Sequence, residues 1–136
     1  MAVVTFDFDD TLTQTQWDND AECFIFVGPN HQMCNVLREH VQNGDDVHIV
    51  TSRTGPSMSI EGVLAAHGQP SIRMFLQEHM GDVIEQLAGV HFTGGLKRDM
   101  LVHLGSTKHF DDDCVELNGL PDTCAGILVQ TLHGLE

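Results

Sequence analysis

Positive charge is scarce in this chain. Of its 136 residues only six are Lys or Arg (Arg38, Arg53, Arg73, Lys97, Arg98 and Lys108), against 20 Asp and Glu, for a net charge of −14. Binding along nucleic acid needs a broad basic surface that displaces counterions from phosphates. Six cations cannot build one, so any phosphate is held singly, in a focused site. Paired cysteine spacing is also missing. Cys23, Cys34, Cys114 and Cys124 are scattered, with no CxxC pair, and read as small core residues of a reduced protein, not bridges or zinc ligands. The nine histidines lack HxxxH or HExxH spacing and read as surface or helix-end residues, one or two lining a site. No apolar run is long enough to span a bilayer, and no basic segment with an apolar core opens the chain. A cytoplasmic protein with no membrane partner is the expectation. There is no internal repeat, low-complexity tract or long linker. An apolar fraction of 41% over this length fits a single domain, 1–136, with its own core.

The order of elements points to an α/β fold. Ala2-Val3-Val4-Thr5-Phe6 is a β-branched, apolar run and reads as a buried strand. Residues 12–30 read as a small flap or hairpin closed by Gly28-Pro29-Asn30. Helical spacing of Met33, Val36, Leu37 and Val41 predicts a helix over 31–43. Val47 to Thr51 is a second strand, and helices are predicted over 58–67 and 71–80, with a further turn or two around Val83, Ile84 and Leu87. A third strand at Val90–Thr93, a short helix over 97–104, a fourth strand at Thr107–Phe110 and a last strand at Gly126–Leu132 complete the set. Strands alternating with helices imply a mainly parallel five-stranded sheet with helices on both faces, a three-layer Rossmann-like arrangement.

The most informative residues are Asp7-Phe8-Asp9-Asp10-Thr11, directly after the first strand. Alternation along a strand predicts that Asp7 and Asp9 project together, with Thr11 just beyond. Two carboxylates so close repel and are costly to desolvate unless a cation sits between them. Oxygen-only ligands favour magnesium. A plain acidic turn is the alternative. Further polar residues sit at the ends of the other strands: Thr51 and Ser52, then Asp111 with Asp112, and Lys97 opens the helix before the fourth strand. In parallel sheets ligands lie outside those carboxyl ends.

In order, the chain offers a DxDxT, then Val50-Thr51-Ser52-Arg53, then a lysine at a helix start, then Asp111-Asp112-Asp113 after an apolar strand. This resembles the haloacid dehalogenase superfamily, whose four motifs occur in that order. The likeness runs from residue 3 to about 113, and small capless members, some phage-encoded, have similar lengths. It implies a HAD-like fold and a magnesium-dependent phosphomonoester hydrolase working through an aspartyl-phosphate. Asp7 would be the nucleophile, splitting one hard hydrolysis into two displacements. Asp9 would be the general acid and then the base, a task best done with a pKa near neutrality. Thr51, or Ser52 if the strand ends one residue later, would bind a phosphoryl oxygen. Lys97 would neutralise the transferring group. The resemblance places magnesium on Asp7, the main-chain carbonyl of Asp9, Asp112, and Asp111 directly or through water. Asp113 would be an outer residue or the start of the next helix.

Thr11, Ser52 and Arg53 are the further substrate-binding candidates; Arg53 follows the phosphate turn in a chain with few arginines. Lys108 competes with Lys97 but lies inside a predicted strand. Trp17 and Phe24 read as core more readily than as contacts to a leaving group. Larger relatives carry a cap domain; here the first gap admits only the flap. An open site suits a bulky substrate such as a nucleic-acid terminal phosphate, whereas the acidic surface suits a phosphorylated small molecule or nucleotide. Two rival readings are a receiver-like phosphoaspartate signalling module and a HAD-fold binding protein without turnover. The order of motifs disfavours the first and the full motif set the second. The sequence does not choose between monomer and homodimer.

Overall fold

The computed structural model describes residues 2–55 and 69–130. The helix expected over 58–67 and the last two residues of the strand expected at 126–132 lie outside them, and that strand ends earlier than expected, at Leu128. The described chain runs β1 (Val3–Phe6), β2 (Thr13–Asp18), β3 (Cys23–Pro29), α1 (His31–Gln42), β4 (Asp46–Thr51) and α2 (Ile72–His79). After a 3-10 turn at Ile84–Gln86 come β5 (Gly89–Phe92), α3 (Arg98–Leu104), β6 (Lys108–Asp111), α4 (Cys114–Asn118) and β7 (Ala125–Leu128). No helix among them is long and apolar enough to cross a membrane.

Five strands form one sheet in the order β5-β4-β1-β6-β7, and every neighbouring pair is parallel. The chain steps outward from β1 through β4 to β5, then returns to the other side of β1 for β6 and β7. Successive connections therefore part company at β1, which opens a crevice at its carboxyl end. β2 and β3 stand apart as an antiparallel hairpin with an irregularity between Gln14 and Thr15.

Strand alternation sorts the side chains. Val4 and Phe6 of β1, Val47 and Ile49 of β4 and Phe110 of β6 share one core with Met33, Leu37 and Val41 of α1 and Phe75 and Leu76 of α2. Phe6 stacks on Phe110 at 4.6 Å, and Phe8 meets Phe75 edge-on at 5.1 Å. Each fully buried side chain of this size contributes about 1.5–3 kcal/mol. The opposite face of β1 and β6 carries Thr5 and His109, buried with Ser106, Leu101 of α3 and Cys124. That layer is polar for its depth, and it leads to the site.

The helix starts have local causes. Asn30 and Ser71 cap α1 and α2 by accepting from the amides of Met33 and Met74. Asp113 caps α4 the same way, accepting from Val115. The flap expected over 12–30 is the β2–β3 hairpin, but Trp17 and Phe24 are not core. They pack edge-on against each other at 5.2 Å and stay 46% and 42% exposed. A two-stranded hairpin has only one covered face, and the outer face keeps its aromatics in water.

Candidate functional site

β1 ends at Phe6, and its ladder to β6 continues one residue further, where the Asp7 amide donates to Phe110 carbonyl. That bond fixes the Asp7 main chain at the crevice. The amides of Thr11 and Leu12 then both donate to the Phe8 carbonyl, so the chain turns sharply. Asp10 sits in the left-handed region (φ 62°), which Asp tolerates better than most residues. Its amide donates to Thr13 Oγ1, and its carboxylate accepts from Thr15. The hairpin is thus tied to the turn that presents Asp7.

Asp7 is 4% exposed. Its Oδ2 accepts from Thr11 Oγ1 at 2.9 Å, and its Oδ1 accepts from Lys97 Nζ at 2.8 Å. The same ammonium donates to Asp111 Oδ2 at 2.7 Å. Lys97, 3% exposed, precedes α3, and its amide donates to Glu116 of α4. The ammonium therefore bridges carboxylates from β1 and β6, more than 90 residues apart in sequence for Asp7 and Asp111. Asp7, Asp111 and Asp112 each offer a carboxylate oxygen within 4.8 Å of the others. An all-oxygen set of this kind suits a hard divalent cation.

Electrostatics describe a crowded acidic centre. Burial pushes the Asp7 carboxyl well above the usual range, against the pull of Lys97, and Asp111 adds to the rise. Burial likewise raises Asp112 to about 6, with Asp111 and Asp10 contributing. For Lys97, burial works against the charged form, but Asp7 and Asp111 outweigh it and hold the ammonium charged beyond its usual range. Burial also opposes ionisation of Asp111, yet His109 and Lys97 prevail and keep its carboxyl below the usual value. A cation among Asp7, Asp111 and Asp112 would relieve the remaining repulsion.

These groups open onto a cleft of about 430 Å³ whose lining includes Asp7, Asp9, Ser52, Lys97, Asp112 and Cys114. A larger hollow of about 560 Å³ lies beside α2 and β5, lined by Ile72, Leu76, Leu87, Val90 and Phe92 among others. It is apolar, so the chemistry belongs to the smaller, acidic cleft.

Several expected residues stand differently from their predicted roles. The Asp9 carboxylate lines the cleft with Asp7 but is not held beside it: strand alternation stops at Phe6, and the turn carries the Asp9 carboxylate to Arg53. Arg53 Nε and Nη2 grip it at 2.9 and 2.7 Å, a bidentate fork. Arg53 also donates to the Pro70 carbonyl and lies 5.1 Å from the Phe8 ring centroid. It is buried, and its guanidinium grips Asp9. Thr11 is buried with its hydroxyl turned to Asp7. Thr51, the last residue of β4, is buried and accepts from the Arg53 amide; its neighbour Ser52 lines the cleft. Two groups escaped sequence reading. Cys114, expected as a small core residue, is exposed and lines the cleft, and His109 is fully buried behind Asp111, whereas histidines are expected at surfaces, at helix ends or, for one or two, lining a site. The signal for His109 was its place two residues before Asp111 on a strand, which puts both on one face. No family model, curated protein or solved structure matches the chain.

Proposed function

We propose that the chain is a magnesium-dependent phosphomonoester hydrolase of the haloacid dehalogenase type. One observation carries the reading: Lys97 buried between Asp7 and Asp111 at the carboxyl ends of β1 and β6, with Asp112 in reach. Structural acids have little reason to gather under a buried ammonium at a sheet's ligand-binding edge. Strand order supports it too. Counted along the sheet's own strands it is 3-2-1-4-5, the Rossmann order without its sixth strand, whereas receiver domains share the flavodoxin-like 2-1-3-4-5.

The carboxylates of Asp7, Asp112 and Asp111 would hold a magnesium ion, and the family resemblance adds the Asp9 carbonyl as a further ligand. When bound, the ion neutralises charge on the transferred phosphoryl group. Lys97 and Thr11 hold the Asp7 carboxylate at a set angle, an arrangement that favours near-attack geometry. Asp7 attacks phosphorus, and the bond from phosphorus to the leaving oxygen breaks as Asp9 protonates that oxygen. Asp9 then takes a proton from water, which attacks phosphorus and frees Asp7. The Arg53 fork occupies both Asp9 oxygens, so the acid step requires that substrate loosen this pair. Ser52 is placed to bind a phosphoryl oxygen. The open, acidic cleft suits a phosphorylated small molecule or nucleotide, or an exposed terminal phosphate.

The test is hydrolysis of a generic aryl phosphate. Turnover should appear with magnesium, vanish with chelator, and be abolished by Asp7→Asn. Undiminished turnover in Asp7→Asn would refute the nucleophile assignment.

A further inference from the structure

We propose that His109 is a positioning residue that locks the Asp111 carboxylate and thereby holds Lys97 against Asp7; the inference rests on the hydrolase reading of the site. His109 and Asp111 lie two apart on β6 and share a face of the sheet. The imidazole is 0% exposed. Its Nε2 is 2.9 Å from Asp111 Oδ2, and its Nδ1 is 2.7 Å from Thr5 Oγ1. Thr5 is its ladder neighbour on β1. The chain of contacts continues from Thr5 Oγ1 to Ser106 Oγ at 2.9 Å.

An ionised carboxylate only accepts, so Nε2 carries the hydrogen and points at Asp111. Thr5 and Ser106 then fix the ring from behind. Burying an imidazole this deep is unfavourable unless both nitrogens find partners, and both do. An aliphatic residue would fill the same space without needing Thr5 or Ser106.

The effect on Asp111 is geometric. Oδ2 accepts from Lys97 and His109, and Oδ1 accepts from the Asp113 amide at 3.1 Å. Three donors hold the carboxylate against rotation. Without His109, Oδ2 keeps only Lys97, which is itself shared with Asp7. Asp111 could then turn toward Asp112 and take Lys97 with it. Residues that orient a metal-site carboxylate typically contribute about 10–100-fold to affinity or activity.

Two variants separate donor from bulk. A glutamine amide reaches about where Nε2 lies, while an asparagine amide reaches about where Nδ1 lies. His109→Asn should lower kcat for an aryl phosphate about 10–100-fold, leave KM within about threefold, and weaken calorimetric magnesium binding to a similar degree. His109→Gln should recover most of both. In metal-free native protein, imidazole nitrogen NMR should show a slowly exchanging Nε2–H. Native-like magnesium affinity and kcat in His109→Asn would overturn the proposal, as would equal losses in both variants. If circular dichroism shows that neither variant folds, Thr5→Val removes the rear partner at equal volume. It should weaken magnesium binding about threefold or more, and no change would overturn the proposal. Native protein that neither binds magnesium nor hydrolyses the ester would instead refute the hydrolase reading. The NMR signature would still decide whether His109 donates to Asp111.

Discussion

Lys97→Met keeps the length and apolar stem of the side chain and deletes its charge. The native ammonium contacts Asp7 at 2.8 Å and Asp111 at 2.7 Å, with all three side chains at least nine-tenths buried. At an effective dielectric of about 20, opposite unit charges about 4 Å apart attract by about 4 kcal/mol. Lys97 makes two such contacts, offset by desolvation of three ions and by repulsion between the two acids. The assembled trio therefore contributes little net stability, but removing its centre strands two buried carboxylates. Loss of one partner from a buried pair costs about 3–5 kcal/mol, and we expect that range for Lys97→Met at about pH 7 in chelator. The pH dependence follows with a definite sign. Without Lys97 the main opposition to the burial that raises Asp7 is gone, so its folded pKa climbs further above the unfolded value. The folded state then binds more protons than the unfolded one between those values, and stability falls as pH rises through them. The deficit should accordingly shrink between about pH 7 and about pH 5. Urea unfolding of native and variant protein at both values measures it. Asp7→Asn added to Lys97→Met should restore part of the loss, giving a non-additive cycle. A deficit under about 1 kcal/mol, or one unchanged at the lower pH, would refute the buried-bridge account.

Magnesium affinity should weaken as pH falls through about 6, because Asp112 is raised to that value and must be deprotonated to bind; calorimetric titrations on either side of it check this. Arg53→Lys cannot reproduce the fork on Asp9 together with the bond to Pro70. It should cost about 1–2 kcal/mol in urea unfolding, less than a fully buried fork because the Asp9 side chain is 38% exposed. A loss within error would mean the fork is not maintained in solution. Phe75→Ala removes the ring that meets both Phe8 and Phe26, and a lower denaturation midpoint worth about 3–5 kcal/mol is expected. A much smaller loss would show that this junction of sheet, helix and hairpin is not tightly packed.

Local pattern made much of the fold readable. β-branched runs marked β1 and β4, helical spacing marked α1 and α2, and Asn30 and Ser71 stand where capping side chains belong. Strand ends moved by a residue: the fourth strand, expected at Thr107–Phe110, is Lys108–Asp111. Such boundaries depend on which amides find ladder partners, a tertiary matter. Trp17 and Phe24 looked like core because apolar character alone does not say which face of a hairpin is covered. Asp9 looked like the twin of Asp7 because alternation was carried past the point where the strand stops.

The amino-acid sequence by itself determined the α/β class and the candidate acids and lysine at the strand ends, since periodicity and residue chemistry are local properties. Only the tertiary structure decided who partners whom. Parallel pairing of β1 with β6 brings Asp7 and Asp111 under one ammonium and seats His109 between Thr5 and Asp111, and pairing of β1 with β4 hands Asp9 to Arg53. The contacts of Asp7 with Lys97, of Thr5 with His109 and of Asp9 with Arg53 join residues tens of positions apart, and no local spacing encodes the distance between them.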